Sequence, residues 1–244
     1  MQNSPEPVVA VVVAAGSGVR LGGGVPKALR ELGGVPLLVH AARGLLAGGV
    51  THLVIGIRPG DEADFARAAE QLRLGADRLR LVGGGERRQD SVRLALAAAR
   101  QLAPTAQVVL VHDAARPLTP ASVVAEVIAS VRSGARSVVP AVPVVDSIRQ
   151  LADGGSRALD RAGLVAVQTP QGFDLATLVA AHEQVAARGL DVTDDAAACE
   201  AIDVPTRLVA GSTDALKITN HVDLVVAEQL LADRAVATSD GRPT

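Results

Sequence analysis

The sequence predicts an α/β fold, a single doubly wound and mainly parallel sheet with a projecting β-hairpin arm, on three observations. Continuous apolar runs, Val-Val-Ala-Val-Val-Val-Ala-Ala at 8–15 and Val-Val-Leu-Val-His at 108–112, lack polar alternation and read as strands covered on both faces. Helical patterns stand between such runs, which is the rhythm of βαβ units. The rhythm breaks once, between about residues 144 and 169, where Asp153-Gly154-Gly155 sits between extended stretches as a hairpin turn does.

Taken in order, the first strand (8–15) leads into a Gly-rich loop and a helix over 36–46. A strand at 52–57, a helix over 61–74 with Asp61 near its start, and a strand at 80–82 follow. A helix over 91–102 precedes the strand at 108–112, and a helix over 120–131 precedes an extended stretch at 137–142. Beyond the arm come helices over 175–187 and 194–201, strands at 207–210 and 216–219, and a helix over 221–232. With no repeat and no linker, residues 1–237 are expected to form one Rossmann-like domain, with the arm at about 144–168. The polar tail 238–244 is expected to be disordered.

A length of 244 residues suits one large α/β domain or two small ones, and 48% apolar with 20% charged residues argues against disorder. A net charge of −2 offers no general attraction to nucleic acid or to a membrane surface. The first apolar run is far short of the ~20 residues that span a bilayer. Met-Gln-Asn-Ser-Pro-Glu-Pro before it has no basic region, so no signal peptide is expected. The single Cys199 excludes an intramolecular disulfide and a Cys metal cluster; it reads as a small buried thiol in a cytoplasmic protein. With two Phe and no Trp or Tyr, aromatic stacking is not the main binding device. Of the 24 basic residues only Lys27 and Lys217 are lysines, which suggests a bias that turns lysine into arginine wherever the fold allows and sets these two apart.

The loop after the first strand reads Ala14-Ala15-Gly16-Ser17-Gly18-Val19-Arg20-Leu21-Gly22-Gly23-Gly24-Val25-Pro26-Lys27. A dinucleotide fingerprint needs G-x-G-x-x-G, and Gly16, Gly18 and Gly22 are spaced one residue too far. A P-loop needs Gly before and Ser or Thr after its lysine, whereas Lys27 lies between Pro26 and Ala28. What remains is a flexible loop above the end of a buried strand, carrying Arg20 and Lys27. Glycines let backbone N–H groups approach an anion, Arg20 offers a fork to phosphate oxygens, and Lys27 offers a compact charge. That set suits a triphosphate.

Ala-Ala-Gly-x-Gly-x-Arg…Pro-Lys resembles the signature of nucleotidyltransferases that join a nucleoside triphosphate to a phosphorylated small molecule. Further segments narrow the resemblance. They are Gly84-Gly85-Glu86-Arg87-Arg88-Gln89-Asp90-Ser91-Val92, Val111-His112-Asp113-Ala114-Ala115-Arg116-Pro117, Asp160-Arg161-Ala162-Gly163-Leu164, Thr169-Pro170-Gln171-Gly172-Phe173, Val192-Thr193-Asp194-Asp195-Ala196 and Leu216-Lys217-Ile218-Thr219. Together, in order and from about residue 8 to 231, they resemble the 2-C-methyl-D-erythritol 4-phosphate cytidylyltransferase family. That resemblance implies transfer of the cytidylyl group of CTP to methylerythritol phosphate, with release of pyrophosphate, in non-mevalonate isoprenoid synthesis. A sister enzyme acting on ribitol 5-phosphate, with the same fold and loop, is the nearest alternative.

The resemblance assigns transition-state stabilisation to Arg20 and Lys27, and positioning of the acceptor phosphate to Arg161 and Lys217. It implies a CTP cradle of Ala14, Ala15, Gly16, Gly18, Gly83, Gly84, Gly85, Arg88, Ser91, Asp113 and Ala114. Ser91 and Asp90 could equally be helix caps. Asp113, Arg116, Ser147, Arg161, Thr169, Thr193 and Lys217 are the implied acceptor contacts, with an Asp113–Arg116 turn ion pair as the plainer reading of those two. Asp113 also stands as a candidate ligand of Mg²⁺ held largely by the CTP phosphates. His112 reads as structural, and Thr193 also looks like a cap before Asp194-Asp195. Two departures are visible: Ser147 stands where relatives generally carry Thr, and Val13 where many carry Pro. The resemblance further implies a homodimer joined through the arm, with Arg161 and Ser147 serving the neighbouring subunit.

Overall fold

The computed structural model describes residues 6–16 and 24–239. The Gly-rich loop at 17–23 and the tail at 240–244, with the expectations placed on Gly18 and Arg20, lie outside the described residues; of the end expected to be disordered from 238, residues 238 and 239 are helical. The chain opens with β1 (Val8–Val13), whose β-branched residues suit a fully covered strand. A 3₁₀ turn at Lys27–Leu29 and a small ribbon, β2 (Glu31–Leu32) and β3 (Val35–Pro36), lead to α1 (Leu37–Ala47). Then come β4 (His52–Ile57), α2 (Glu62–Glu70), β5 (Leu79–Gly83), α3 (Arg88–Leu102), β6 (Val108–Asp113), α4 (Ala121–Arg132) and β7 (Ser137–Pro143). The arm ribbon is β8 (Arg149–Ala152) and β9 (Gly155–Ala158), and the chain returns through β10 (Val165–Val167) and β11 (Gln171–Asp174). α5 (Leu175–Ala187), α6 (Asp195–Glu200), β12 (Arg207–Ala210) and α7 (His221–Ser239) complete it.

β5, β4, β1 and β6 pair in parallel in that order, with α1 joining β1 to β4 by way of the small ribbon, α2 joining β4 to β5, and α3 crossing from β5 back to β6. β11 then lies antiparallel between β6 and β7, β10 continues along β7, and β12 pairs with β7 in parallel. Alternate residues of each strand serve opposite layers. Val8, Ala10 and Val12 pack with α1, α2 and α4, whereas Val9 and Val11 pack with α3, α5 and α6. The two Phe are both fully buried, Phe65 in the first layer and Phe173 in the second. The chain's aromatic rings are therefore core material. Cys199 is also buried, and burial pushes its thiol up to about 12, which makes it unreactive as expected.

Several expectations need correction. Residues 216–219 form no strand: Ile218 N–H donates to Ala115 O at 2.8 Å, and the chain then turns into α7. That turn is held by Asp223, which accepts from Asn220 N–H at 2.9 Å while Asn220 Oδ1 accepts from Asp223 N–H at 3.1 Å. β11 was not visible as a strand, because Gln171-Gly172-Phe173-Asp174 has neither alternation nor an apolar run. Gly172 is required there, since a Cβ would stand 2.3 Å from Val127 Cγ1 of α4. α2 stops at Glu70 rather than 74, where Arg73 takes a left-handed φ of 53°. α7 reaches Ser239, beyond the expected 232, through the helix-favouring Ala-rich stretch that follows. The Asp153–Gly154 turn is as expected, with Gly154 at φ 77°, but residues 165–167 belong to the main sheet and not to the projecting ribbon.

Candidate active site

The carboxyl ends of β1 and β6, the 3₁₀ turn at Lys27 and the N-terminus of α3 enclose a cleft of about 310 Å³. Adjacent parallel strands end here and their connections diverge, which is where doubly wound sheets take ligands. Ten of the expected site residues line it: Ala14, Ala15, Gly16, Lys27, Gly85, Arg88, Ser91, Asp113, Ala114 and Lys217. Val13, Ala28, Glu86, Arg87 and Ala115 complete the wall and had not been singled out as site residues. The two lysines of the chain, far apart in sequence, thus meet in one cleft.

The side of the cleft expected to take a nucleotide is built on small residues. Ala14 N–H donates to Gly56 O at 2.8 Å and Gly84 N–H to Ile57 O at 2.7 Å, which ties the two loops to β4. A Cβ at Gly84 would stand 2.7 Å from Ser91 Oγ and 3.2 Å from Ile57 O, so glycine is needed for this approach. Ser91 is not a helix cap: α3 begins at Arg88, and Ser91 Oγ instead accepts from Gly85 N–H at 3.1 Å. Its hydroxyl therefore shapes the Gly84–Gly85 turn from below. Asp90 pairs with Arg87 at 3.0 Å.

Arg88 projects into the cleft from the first turn of α3 and is anchored from behind. Its Nη2 donates to Asp195 Oδ2 at 2.6 Å, and His182 Nε2 donates to Asp195 Oδ1 at 3.0 Å. Asp195 is fully buried, which opposes its charge, but His182 and Arg88 outweigh that and hold its carboxyl below the usual range. Gln171 Oε1 accepts from the N–H groups of Asp195 and Ala196, each at 3.2 Å. The α6 cap is Asp194, accepting from Ala197 N–H at 2.9 Å, and not Thr193. Sequence reading missed Asp195 and His182 as orienting groups; a buried ionisable pair, Asp195 in α6 and His182 in α5, gives no local signal.

The opposite end is set by Asp113, which closes β6. Its Oδ2 lies 2.8 Å from Lys217 Nζ. Burial raises the Asp113 carboxyl, yet Lys217 and Arg88 outweigh it and keep the group below its ordinary value. Thr169 lies beneath, where the strand crosses from β10 to β11 at a cis Thr169–Pro170 peptide, and its Oγ1 accepts from Asp113 N–H at 3.1 Å. His112, fully buried, is depressed to about 4 by that burial.

Other expected residues fall elsewhere. Arg116 forms no ion pair with Asp113; its guanidinium donates to Ala215 O at 2.6 Å and Val167 O at 3.3 Å, locking the turn to neighbouring segments. Thr193 lines a separate recess with Asp194, Val167 and Leu208. Ser147 and Arg161 are exposed on the arm, where Arg161 donates to Val145 O. Gly83 and Gly84 lie just outside the lining, at the end of β5.

No cluster of three or more metal-ligating side chains exists among the described residues. The donor set of the cleft, the strand-end carboxylate of Asp113 and that of Glu86 among the four cations Lys27, Arg87, Arg88 and Lys217, fits a Mg²⁺ carried mainly by phosphate oxygens and water rather than a caged ion. No helix among the described residues is long and apolar enough to cross a membrane.

Residues 8–233 match the family model described as 2-C-methyl-D-erythritol 4-phosphate cytidylyltransferase. The enzyme of that name from Streptomyces coelicolor is 47% identical over 241 residues, covering 95% of this chain and 87% of the relative. Its counterpart from Saccharopolyspora erythraea is 48% identical over 227 residues, covering 92% and 99%. Among solved structures, 4-diphosphocytidyl-2C-methyl-D-erythritol synthase from Anaerococcus prevotii superposes with a TM-score of 0.80 at 26% identity, covering 93% and 96%. The cytidylyltransferase from Thermus thermophilus gives 0.72 at 32% identity, covering 91% and 98%. Ordered motifs, topology and similarity over nearly the whole length agree: the chain belongs to the 2-C-methyl-D-erythritol 4-phosphate cytidylyltransferase family.

Proposed function

We infer that this chain transfers the cytidylyl group of CTP to 2-C-methyl-D-erythritol 4-phosphate, giving 4-diphosphocytidyl-2-C-methyl-D-erythritol and pyrophosphate. Beside the family, the observation that carries this reading is the meeting of Lys27, Lys217 and Arg88 in one cleft walled by alanine and glycine. An oxygen of the acceptor phosphate attacks the α-phosphorus of CTP in line; that P–O bond forms as the bond to the bridging oxygen of pyrophosphate breaks. Two anions must approach, and no covalent protein intermediate is needed, so positioning and fixed positive charge supply the catalysis.

Lys27 and Arg20 take the triphosphate and the charge that grows on it. Ala14, Ala15, Gly16 and the Gly83–Gly85 turn, supported by Ser91, receive cytosine and ribose through backbone groups, since both phenylalanine rings lie in the core. Arg88 adds a cation fixed by Asp195. Lys217 is the acceptor-phosphate ligand, held by Asp113 until that phosphate takes it over. Asp113 is the candidate protein ligand for Mg²⁺, which when bound neutralises phosphate and leaving-group charge.

Exposed apolar residues on and beside the arm, Val145 at 80% and Leu151 at 85%, support a homodimer in which Arg161 and Ser147 serve the partner's cleft. Cytoplasmic placement follows from the buried lone thiol and the substrates. The test is pyrophosphate release across the four nucleoside triphosphates and a panel of polyol phosphates, with and without Mg²⁺. Product from CTP and methylerythritol phosphate is expected, and its absence would refute the inference; preference for ribitol 5-phosphate would reassign the acceptor. A monomer mass by light scattering would overturn the dimer.

A further inference from the structure

His112 points away from the cleft, yet both of its ring nitrogens are committed. Nε2 stands 3.1 Å from Arg116 O, and Nδ1 stands 3.0 Å from Thr169 Oγ1, which is itself 3.1 Å from Asp113 N. A carbonyl only accepts, so Nε2 carries the hydrogen; a backbone N–H only donates, so Thr169 Oγ1 accepts from Asp113. Every proton is partnered when the Thr169 hydroxyl donates to Nδ1. The opposite tautomer would set the Nε2 lone pair against the Arg116 carbonyl and take away the acceptor of the Thr169 hydroxyl, a buried loss. The bonds therefore run in one direction, from Asp113 N–H to Thr169, from Thr169 to His112, and from His112 to Arg116 O. Arg116 N–H closes the ring by donating to Asp113 O at 2.9 Å.

This ring grips a turn that carries both partners of the cleft's ion pair. Asp113 opens the turn. The segment bearing Lys217 hangs from it through Arg116 Nη1 to Ala215 O at 2.6 Å and Ile218 N–H to Ala115 O at 2.8 Å. We propose that His112 is a positioning residue, which acts through Thr169 and the Arg116 carbonyl to fix the Asp113–Arg116 turn and hence the Asp113–Lys217 pair at the acceptor end of the cleft. The activity half of this proposal rests on the cytidylyl-transfer reading; the hydrogen-bond polarity does not.

Two measurements test it. ¹⁵N NMR of the histidine-labelled wild-type protein at neutral pH should show His112 with hydrogen on Nε2 and none on Nδ1. A hydrogen on Nδ1 overturns the proposal whatever the enzyme's substrates are. In steady-state kinetics, His112→Gln keeps an amide donor toward Arg116 O but places no acceptor at the Nδ1 position that receives the Thr169 hydroxyl, its own Oε1 being displaced from there, and Thr169→Val removes that hydroxyl. Each should lower kcat/KM for the acceptor about tenfold while the KM for CTP stays within about twofold, and the double variant should be no worse than about twofold below the weaker single. Additive losses, or equal losses on both substrates, would overturn it. Should His112→Gln not fold, Thr169→Val alone must still show the acceptor-selective loss. A wild-type enzyme inactive with CTP and every acceptor would refute the proposed function and leave the tautomer as the judge of His112.

Discussion

Asp195→Asn tests the anchoring of Arg88. The native carboxylate is fully buried and accepts from Arg88 Nη2 at 2.6 Å and His182 Nε2 at 3.0 Å. Removing one partner of a buried ion pair costs about 3–5 kcal/mol when the other charge is stranded. Here the Arg88 side chain keeps 34% exposure, so water relieves part of that cost, and the asparagine oxygen still serves one of the two donors. The expected loss is therefore nearer ~3 kcal/mol. Guanidinium unfolding followed by far-UV circular dichroism is the assay, since a chain without Trp or Tyr has no useful intrinsic fluorescence. The KM for CTP should rise at the same time, because Arg88 lines the cleft. The native Asp195 carboxyl is held below its ordinary value of 3.8, so its contribution is present above that value and lost as pH falls through the native one. The gap between wild type and variant should accordingly narrow below about pH 4. A deficit under about 0.5 kcal/mol at neutral pH, with an unchanged KM for CTP, would refute the anchoring argument.

Lys27→Ala should lower kcat by about 10²–10³, as loss of one preorganised donor to developing charge does, and near-normal turnover would remove Lys27 from the mechanism. Gly84→Ala would force Ser91 Oγ, 2.7 Å from the new Cβ, away from Gly85; the KM for CTP should rise severalfold in kinetics while kcat moves less. Gly172→Ala would press a Cβ to 2.3 Å from Val127 Cγ1, and chemical denaturation should show a loss of about 1–3 kcal/mol, a neutral result meaning that α4 can move aside.

Much of the fold was legible because doubly covered strands and amphipathic helices are local patterns. Val8–Val13 and Val108–Asp113 declare themselves as apolar runs, and the Asp153–Gly154 turn by its residue types. β11 was not legible: Gln171 and Gly172 are there for what they meet, the N-terminus of α6 and the face of α4, and neither partner is near in sequence. The reverse holds at 216–219, where the residues look extended but find no neighbouring strand beyond one hydrogen bond to Ala115.

The candidate site divides in the same way. By itself the sequence determined that a Gly-rich loop with cations follows the first strand, that with two Phe and no Trp or Tyr aromatic stacking is not expected as the main binding device, and that two lysines survive in a chain otherwise basic through arginine. These are statements about residue type and spacing, which the linear chain contains in full. The tertiary structure alone decided which of them converge. It brought Lys27 and Lys217 to one cleft, set Asp113 against Lys217 and Arg88 against Asp195, and turned Arg116 away to hold the surrounding turn. It also ruled out the cap reading of Ser91, whose hydroxyl instead supports the Gly84–Gly85 turn, and gave His112 two partners that fix its polarity. Burial and hydrogen bonding act between residues that are neighbours in space, and that adjacency comes into being only when the chain closes on itself.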